Sequence, residues 1–185
     1  MKGTKAKILD AAIKLFARNG YDRVGIRQIA KEAGINSSMI SYYFASKENL
    51  YKTVLSLYLD EFKEMVLNLS IDDEKEFIKS FIKAHIAILK KRGKDVALIM
   101  AREHMDDQGR FKEFFSELLG EIRARLEHVF RKGIKRGIFK PISEKALTKI
   151  LIGIDIIFAF KVDMLDEEQL ANLAYDIFMN GIKES

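Results

Sequence analysis

Apolar residues along this chain recur every three to four positions rather than every second one, and proline occurs once, at Pro141. That period is helical. In the first stretch Ile8, Ala12, Leu15 and Phe16 share one face, with Thr4 as a candidate N-cap and Gly20 as a left-handed stop. A short second helix is expected over about 26–33, with Ile26, Ile29 and Ala30 inward and Gly34 ending it. Asn36 can cap a third helix that runs to about Tyr43, with Ile40 and Phe44 four apart on its inner face. Ser46 can cap a long fourth, striped by Leu50, Val54, Leu57, Tyr58, Phe62, Met65 and Leu69. Five further helices are expected over about 74–91, 95–105, 109–136, 143–163 and 166–183. The expected fold class is all-α with about nine helices.

The last two helices carry more apolar surface than one small domain needs. The eighth is apolar on two sides, Ile150, Ile154, Ile157 and Phe158 on one and Leu147, Leu151 and Phe160 on the other. The ninth has a ladder of Leu170, Leu173, Ala174, Ile177, Phe178 and Gly181. A two-fold four-helix bundle with a second copy is the simplest cover. It would place Leu151, Ile154, Phe158, Leu170, Leu173, Ala174, Ile177, Phe178 and Gly181 at a homodimer interface.

Composition narrows the class. Cysteine is absent, which removes disulfides, thiol nucleophiles and Cys-based metal sites. The 48% hydrophobic content argues against disorder. No apolar run reaches the roughly 18 residues that span a bilayer; the longest candidate, ILIGIDIIFAF, is interrupted by Asp155. No secretory leader is recognisable, so a soluble cytoplasmic protein is expected, with no membrane partner. The three histidines lack metal-binding spacing and there is no glycine-rich phosphate loop, so neither metal, cofactor nor enzymatic activity is expected. The charged run REHMDD, 102–107, reads as a solvated helix end.

Charge is the more telling feature. Residues 1–47 hold nine basic and three acidic residues, so the net +5 of the chain lies entirely in its first quarter. An anionic partner for that end fits this asymmetry, as does a solvated basic face. The two short helices joined by the tight turn AGIN resemble a helix-turn-helix, whose second helix enters the major groove. With Ile40 and Phe44 inward, Ser37, Ser38, Met39, Ser41, Tyr42 and Tyr43 remain for the groove and its walls. Small serines let the helix backbone approach the bases, and Met39 can meet a thymine methyl. Tyrosine hydroxyls can donate to phosphate oxygens. Asn36 starts this helix, Lys47 opens the next, and Arg27 on the second helix is another candidate phosphate clamp. For the tyrosines, packing against the fourth helix is the alternative.

The run IRQIAKEAGINSSMISYYFASKENLY is similar to the DNA-binding domain of the tetracycline-repressor (TetR) family of bacterial regulators. Four segments match in register: LFARNGYDRV, IAKEAG, the YYF that ends the third helix, and SKENL. Gly25, the Ser37-Ser38-Met39 start of the third helix, and Ser41 depart from the common pattern and leave the operator sequence open. The resemblance implies a DNA-binding domain over about residues 1–47 and a ligand-binding and dimerisation domain over about 48–185. It also implies a homodimer that reads a palindrome in double-stranded DNA and responds to a small-molecule effector. In the family the middle helices enclose that effector, and the candidates here are His85, Arg102, Phe115, Asp155 and Phe158, with His104 as a further polar group. For His85 and the two phenylalanines the alternative is a core position. For Asp155 it is a partner-chain ion pair or a solvent-facing site, since an unpaired carboxylate in an apolar helix is costly. The 13 Phe and many Ile predict a largely apolar effector. A ligand-responsive regulator, most simply a repressor, is the function these features imply; a helical small-molecule-binding protein or a co-ligand-dependent activator is the alternative.

Overall fold

The structure is a computed structural model that describes residues 3–106, 109–160 and 165–183, with side chains up to residue 157 in the second stretch. Among these there are nine α-helices: α1 Thr4–Asn19, α2 Ile26–Ala33, α3 Ser37–Phe44, α4 Lys47–Leu67, α5 Glu74–Arg92, α6 Lys94–Met105, α7 Lys112–Lys135, α8 Glu144–Phe160 and α9 Glu167–Ile182. None is long and apolar enough to cross a membrane.

The helix ends follow the local chemistry with three corrections. Thr4 is the first helical residue of α1 and Gly3 occupies the N-cap without a side-chain bond, so the expected Thr4 cap is not made. α7 begins at Lys112 rather than 109, because Gly109 to Lys112 closes a turn that aims Phe111 at Tyr21 and Tyr51, 4.7 and 4.6 Å between ring centres. Gly20 ends α1 at φ 76° and ψ 168°, outside the left-handed helical region, while the expected side-chain caps hold. Asn36 accepts the Ser38 N–H, Ser46 the Asn49 N–H and Asp166 the Gln169 N–H. Gly34, at φ 65° and ψ 40°, makes the left-handed turn between α2 and α3. Between α3 and α4, Ala45 has φ 63° and the Ser46 N–H reaches Phe44 O at 2.7 Å, a three-residue γ-turn that a non-glycine residue adopts at a cost.

One continuous hydrophobic cluster runs from Ile8 to Ile182, so the first three helices share a core with the rest of the chain. α5 is at its centre, against α4, α6, α7, α8 and α9. The N-terminal end of α5 carries Glu74, only 2% exposed, whose carboxylate accepts two 3.0 Å bonds from Arg136 and has Lys132 at 3.4 Å. Burial opposes its charge, but its own backbone N–H and the two cations outweigh that and hold the carboxyl below its ordinary value.

Gly133 shows packing overriding propensity. A methyl at this helical position would come within 2.3 Å of the buried Phe139 ring. Gly133→Ala is therefore expected to destabilise the protein by about 1–3 kcal/mol. Gly120→Ala, with open space around it on the same helix, is expected to stabilise by about 1 kcal/mol. Opposite shifts in urea midpoint check the pair.

Candidate functional site

α3 is held from beneath by Ile40 and Phe44, both buried, and presents its other side to solvent. Tyr42 is 79% exposed and Tyr43 38%, their rings meeting edge to face at 5.1 Å. Ser41 and Ser38 are also exposed, and Ser37 is half-buried. The Ser38 hydroxyl donates to Asn36 Oδ1 at 3.0 Å, so both residues serve the cap while remaining at the surface. Met39 leans on the core with part of its surface free. Arg27 stands exposed on α2. The expected groove-facing set is thus brought onto one short helix with Arg27 on the preceding one.

Lys47 differs from expectation. Its ammonium donates to Tyr21 O at 3.1 Å and Val24 O at 3.0 Å and lies 4.0 Å from the Tyr21 ring centre. It staples α4 to the loop between α1 and α2, which leaves one of its three N–H donors for a phosphate. A second cation is near the buried anchor of α3: Lys5 Nζ is 5.9 Å from the Phe44 ring centre.

Behind this face the N-terminal helices are tied to the body by α6. Arg102 Nη1 donates to Phe16 O at 2.8 Å, and the Tyr51 hydroxyl donates to Glu103 Oε1 at 2.6 Å. Burial raises the Glu103 carboxyl above its ordinary value, against the hydrogen bond from Tyr51. A cleft of about 640 Å³ opens along this seam, lined in part by Arg18, Arg23, Tyr51, Arg102, Arg110 and Phe111. Arg102 therefore joins α6 to α1 and lines the cleft between them.

Inside the body, His85 Nδ1 and Asp155 Oδ2 are 3.0 Å apart with both side chains buried, which replaces the partner-chain and solvent alternatives for Asp155. Phe62 stacks on the His85 ring at 4.6 Å, and the Tyr58 ring is 6.5 Å away. Burial pushes the Asp155 carboxyl up, with His85 opposing the shift. His104 stacks edge to face on Phe115 at 4.9 Å; burial, with smaller contributions from His85 and Arg123, lowers it to about 3, so it is neutral at physiological pH. Phe115 is thus a buried neighbour of this polar group, and the Phe158 side chain lies outside the described residues.

The family model for bacterial regulatory proteins of the tetR family matches residues 8–54, which contain α2, α3 and the start of α4. The chain is 31% identical over 141 residues to the HTH-type transcriptional repressor NicS of Pseudomonas putida, a match that spans 74% of this chain and 66% of that protein, just under two thirds. Its fold is similar to that of the ketosteroid transcriptional regulator KstR2 of Mycobacterium tuberculosis, with a TM-score of 0.80, 20% identity and coverage of 100% of this chain and 97% of that one. It is also similar to AibR, solved in complex with isovaleryl coenzyme A and operator DNA, with a TM-score of 0.78, 19% identity and coverage of 95% and 97%. The chain belongs to the TetR family of bacterial transcriptional regulators.

As a TetR-family regulator the chain presents its exposed tyrosines on α3, the second helix of the α2–α3 helix-turn-helix. The apolar faces of α8 and α9 divide differently from the sequence ladders. Leu151, Leu170, Ala174 and Phe178 are buried in the chain's own core and are corrected from interface to core, because the sequence period does not say which stripe α5 covers. Ile154 is half-buried. Ile150, Ile157, Leu173 and Ile177 are 52, 60, 41 and 50% exposed, and Gly181 is exposed beside them in the ladder.

Proposed function

We propose that this protein is a ligand-responsive transcriptional repressor that binds a palindromic operator as a homodimer and is released by a small, largely apolar effector. The carrying observation is the face of α3, where Ser38, Ser41, Tyr42 and Tyr43 are exposed on a helix anchored by Ile40 and Phe44. We take about residues 1–47 as the DNA-binding unit and the rest as the unit for effector binding and dimerisation. The exposed isoleucine stripes of α8 and α9 support the dimer, since isolated monomers rarely leave such runs uncovered. Two copies would set the recognition helices about one helical turn of DNA apart, about 34–36 Å.

The effector reading rests on α6. Its last turn holds Arg102 and Glu103, bonded toward α1 and α4, and His104, which faces the body next to Phe115. A ligand that shifts α6 would move both ties together. It changes DNA binding only through its different affinity for the two arrangements. A switch from 99% to 1% competent needs about 5.5 kcal/mol of that preference.

The test is a footprint over a series of salt concentrations. A protected palindrome that survives physiological salt is the expected result; diffuse, salt-labile binding alone counts against the reading. On such an operator, Tyr43→Ala is expected to weaken binding across sequences. Arg27→Ala is expected to lower the salt slope by about two, since both protomers lose one phosphate contact. Lys47→Ala should instead lower the melting temperature along with affinity, because two of its three donors hold backbone carbonyls.

A further inference from the structure

Two atoms in the buried group around His85 carry unused hydrogen-bonding capacity. The Tyr58 hydroxyl and Asp155 Oδ1 are buried and have no hydrogen-bond partner among the described residues. Tyr58 is 2% exposed and Asp155 0%. They come from α4 and α8, and His85 is near both: it bonds Asp155 Oδ2 at 3.0 Å and has the Tyr58 ring at 6.5 Å. Folded proteins leave few buried polar atoms unpaired, and each costs about 1–3 kcal/mol. Phe62, stacked on His85, and Phe81, 5.9 Å from it, give the surroundings an apolar character.

We propose that the group recognised here is a neutral hydroxyl, so that the effector is an apolar alcohol or phenol rather than a carboxylate. This rests on the effector reading above and names the chemistry of that site. A hydroxyl is both donor and acceptor. It can donate to Asp155 Oδ1 and accept from the Tyr58 hydroxyl, which pairs both atoms at once. If Asp155 holds a proton, the same hydroxyl reverses its role and the match survives. A carboxylate only accepts, so beside an ionised Asp155 it leaves Oδ1 unpaired and adds a second negative charge. His85 Nδ1 is already engaged by Asp155 Oδ2, and an unpaired buried anion is expensive.

The experiment uses the full-length protein and two skeletons, each as alcohol and acid: decan-1-ol against decanoate, and 2-naphthol against 2-naphthoate. Affinity is measured by calorimetric titration for the native chain and Tyr58→Phe. The expected result is that at least one alcohol binds about tenfold tighter than its acid. Tyr58→Phe should remove most of that preference while the melting temperature of the free variant stays level or rises, because the hydroxyl it lacks had no partner. An acid that binds as well as its alcohol overturns the proposal. So does an alcohol preference indifferent to Tyr58→Phe, a marked loss of melting temperature in that variant, or no binding by either alcohol. A carboxylate or acyl thioester that clears the operator footprint while the alcohols do nothing overturns the hydroxyl alone and leaves the ligand-responsive repressor standing. Absence of any specific footprint in the free protein sinks the repressor reading instead.

Discussion

The double variant Ile157→Glu, Ile177→Glu is expected to be a folded monomer that has lost its operator. Both side chains are at least half exposed in the single chain, so charge there leaves the protomer core intact. In a two-fold interface each residue faces the same patch of the other copy, so every added carboxylate meets others. Each isoleucine also forfeits about 1.5–3 kcal/mol of burial. A monomer reads one half-site and loses the second recognition helix. Its operator affinity should fall toward the non-specific level, a loss of about 10³-fold or more. Sedimentation equilibrium and operator titration check the two parts separately. A variant that remains a dimer would place the interface elsewhere. As a control, Leu151→Glu should unfold the protomer, because Leu151 is 0% exposed and belongs to the core.

Breaking the His85–Asp155 pair is expected to have the largest effect on stability. His85→Leu keeps much of the ring's volume but leaves the Asp155 carboxylate with neither oxygen paired. Removal of one partner so that a buried carboxylate is left unpaired costs about 3–5 kcal/mol. Exchange of both, His85→Leu with Asp155→Leu, should recover most of that loss, since apolar replacements of a buried pair are often neutral. The pH dependence has a definite sign. Burial already raises the Asp155 carboxyl, and loss of His85 raises it further. The folded variant then holds a proton that the unfolded chain releases near pH 3.9. Its stability is fully present below that pH and falls as pH rises through the higher folded value. The single variant should therefore approach the native protein in acid and fall away toward neutrality. Urea unfolding at pH 4 and pH 7 measures this, and a gap of equal size at both would contradict it.

Much of the reading face was legible because its determinants are local. Asn36 and Ser46 cap the helices that follow them, Gly34 supplies the left-handed turn, and the four-residue spacing of Ile40 and Phe44 decides which side of α3 faces out. The limits lay where a side chain's partner is far away in the chain. Lys47 looked like a free cation because Tyr21 and Val24 precede it by 26 and 23 residues. Arg102 was expected among the effector contacts, and its position in the cleft between α1 and α6 is set by Phe16 O, 86 positions back. Glu74 gives only a weak signal in the sequence, its position just inside the Asp73 cap and the cationic end of α7, because Arg136 is 62 positions away.

By itself the sequence determined nine helices, their order and the outward side of the recognition helix, because period and capping act within a few residues. The tertiary structure alone decided which apolar stripes of α8 and α9 become core and which stay exposed, for α5 covers one set and leaves the other. It alone brought Tyr58, His85 and Asp155 from three helices to one buried point. The cost of a buried polar atom depends on what surrounds it, and that environment exists only once the helices have packed.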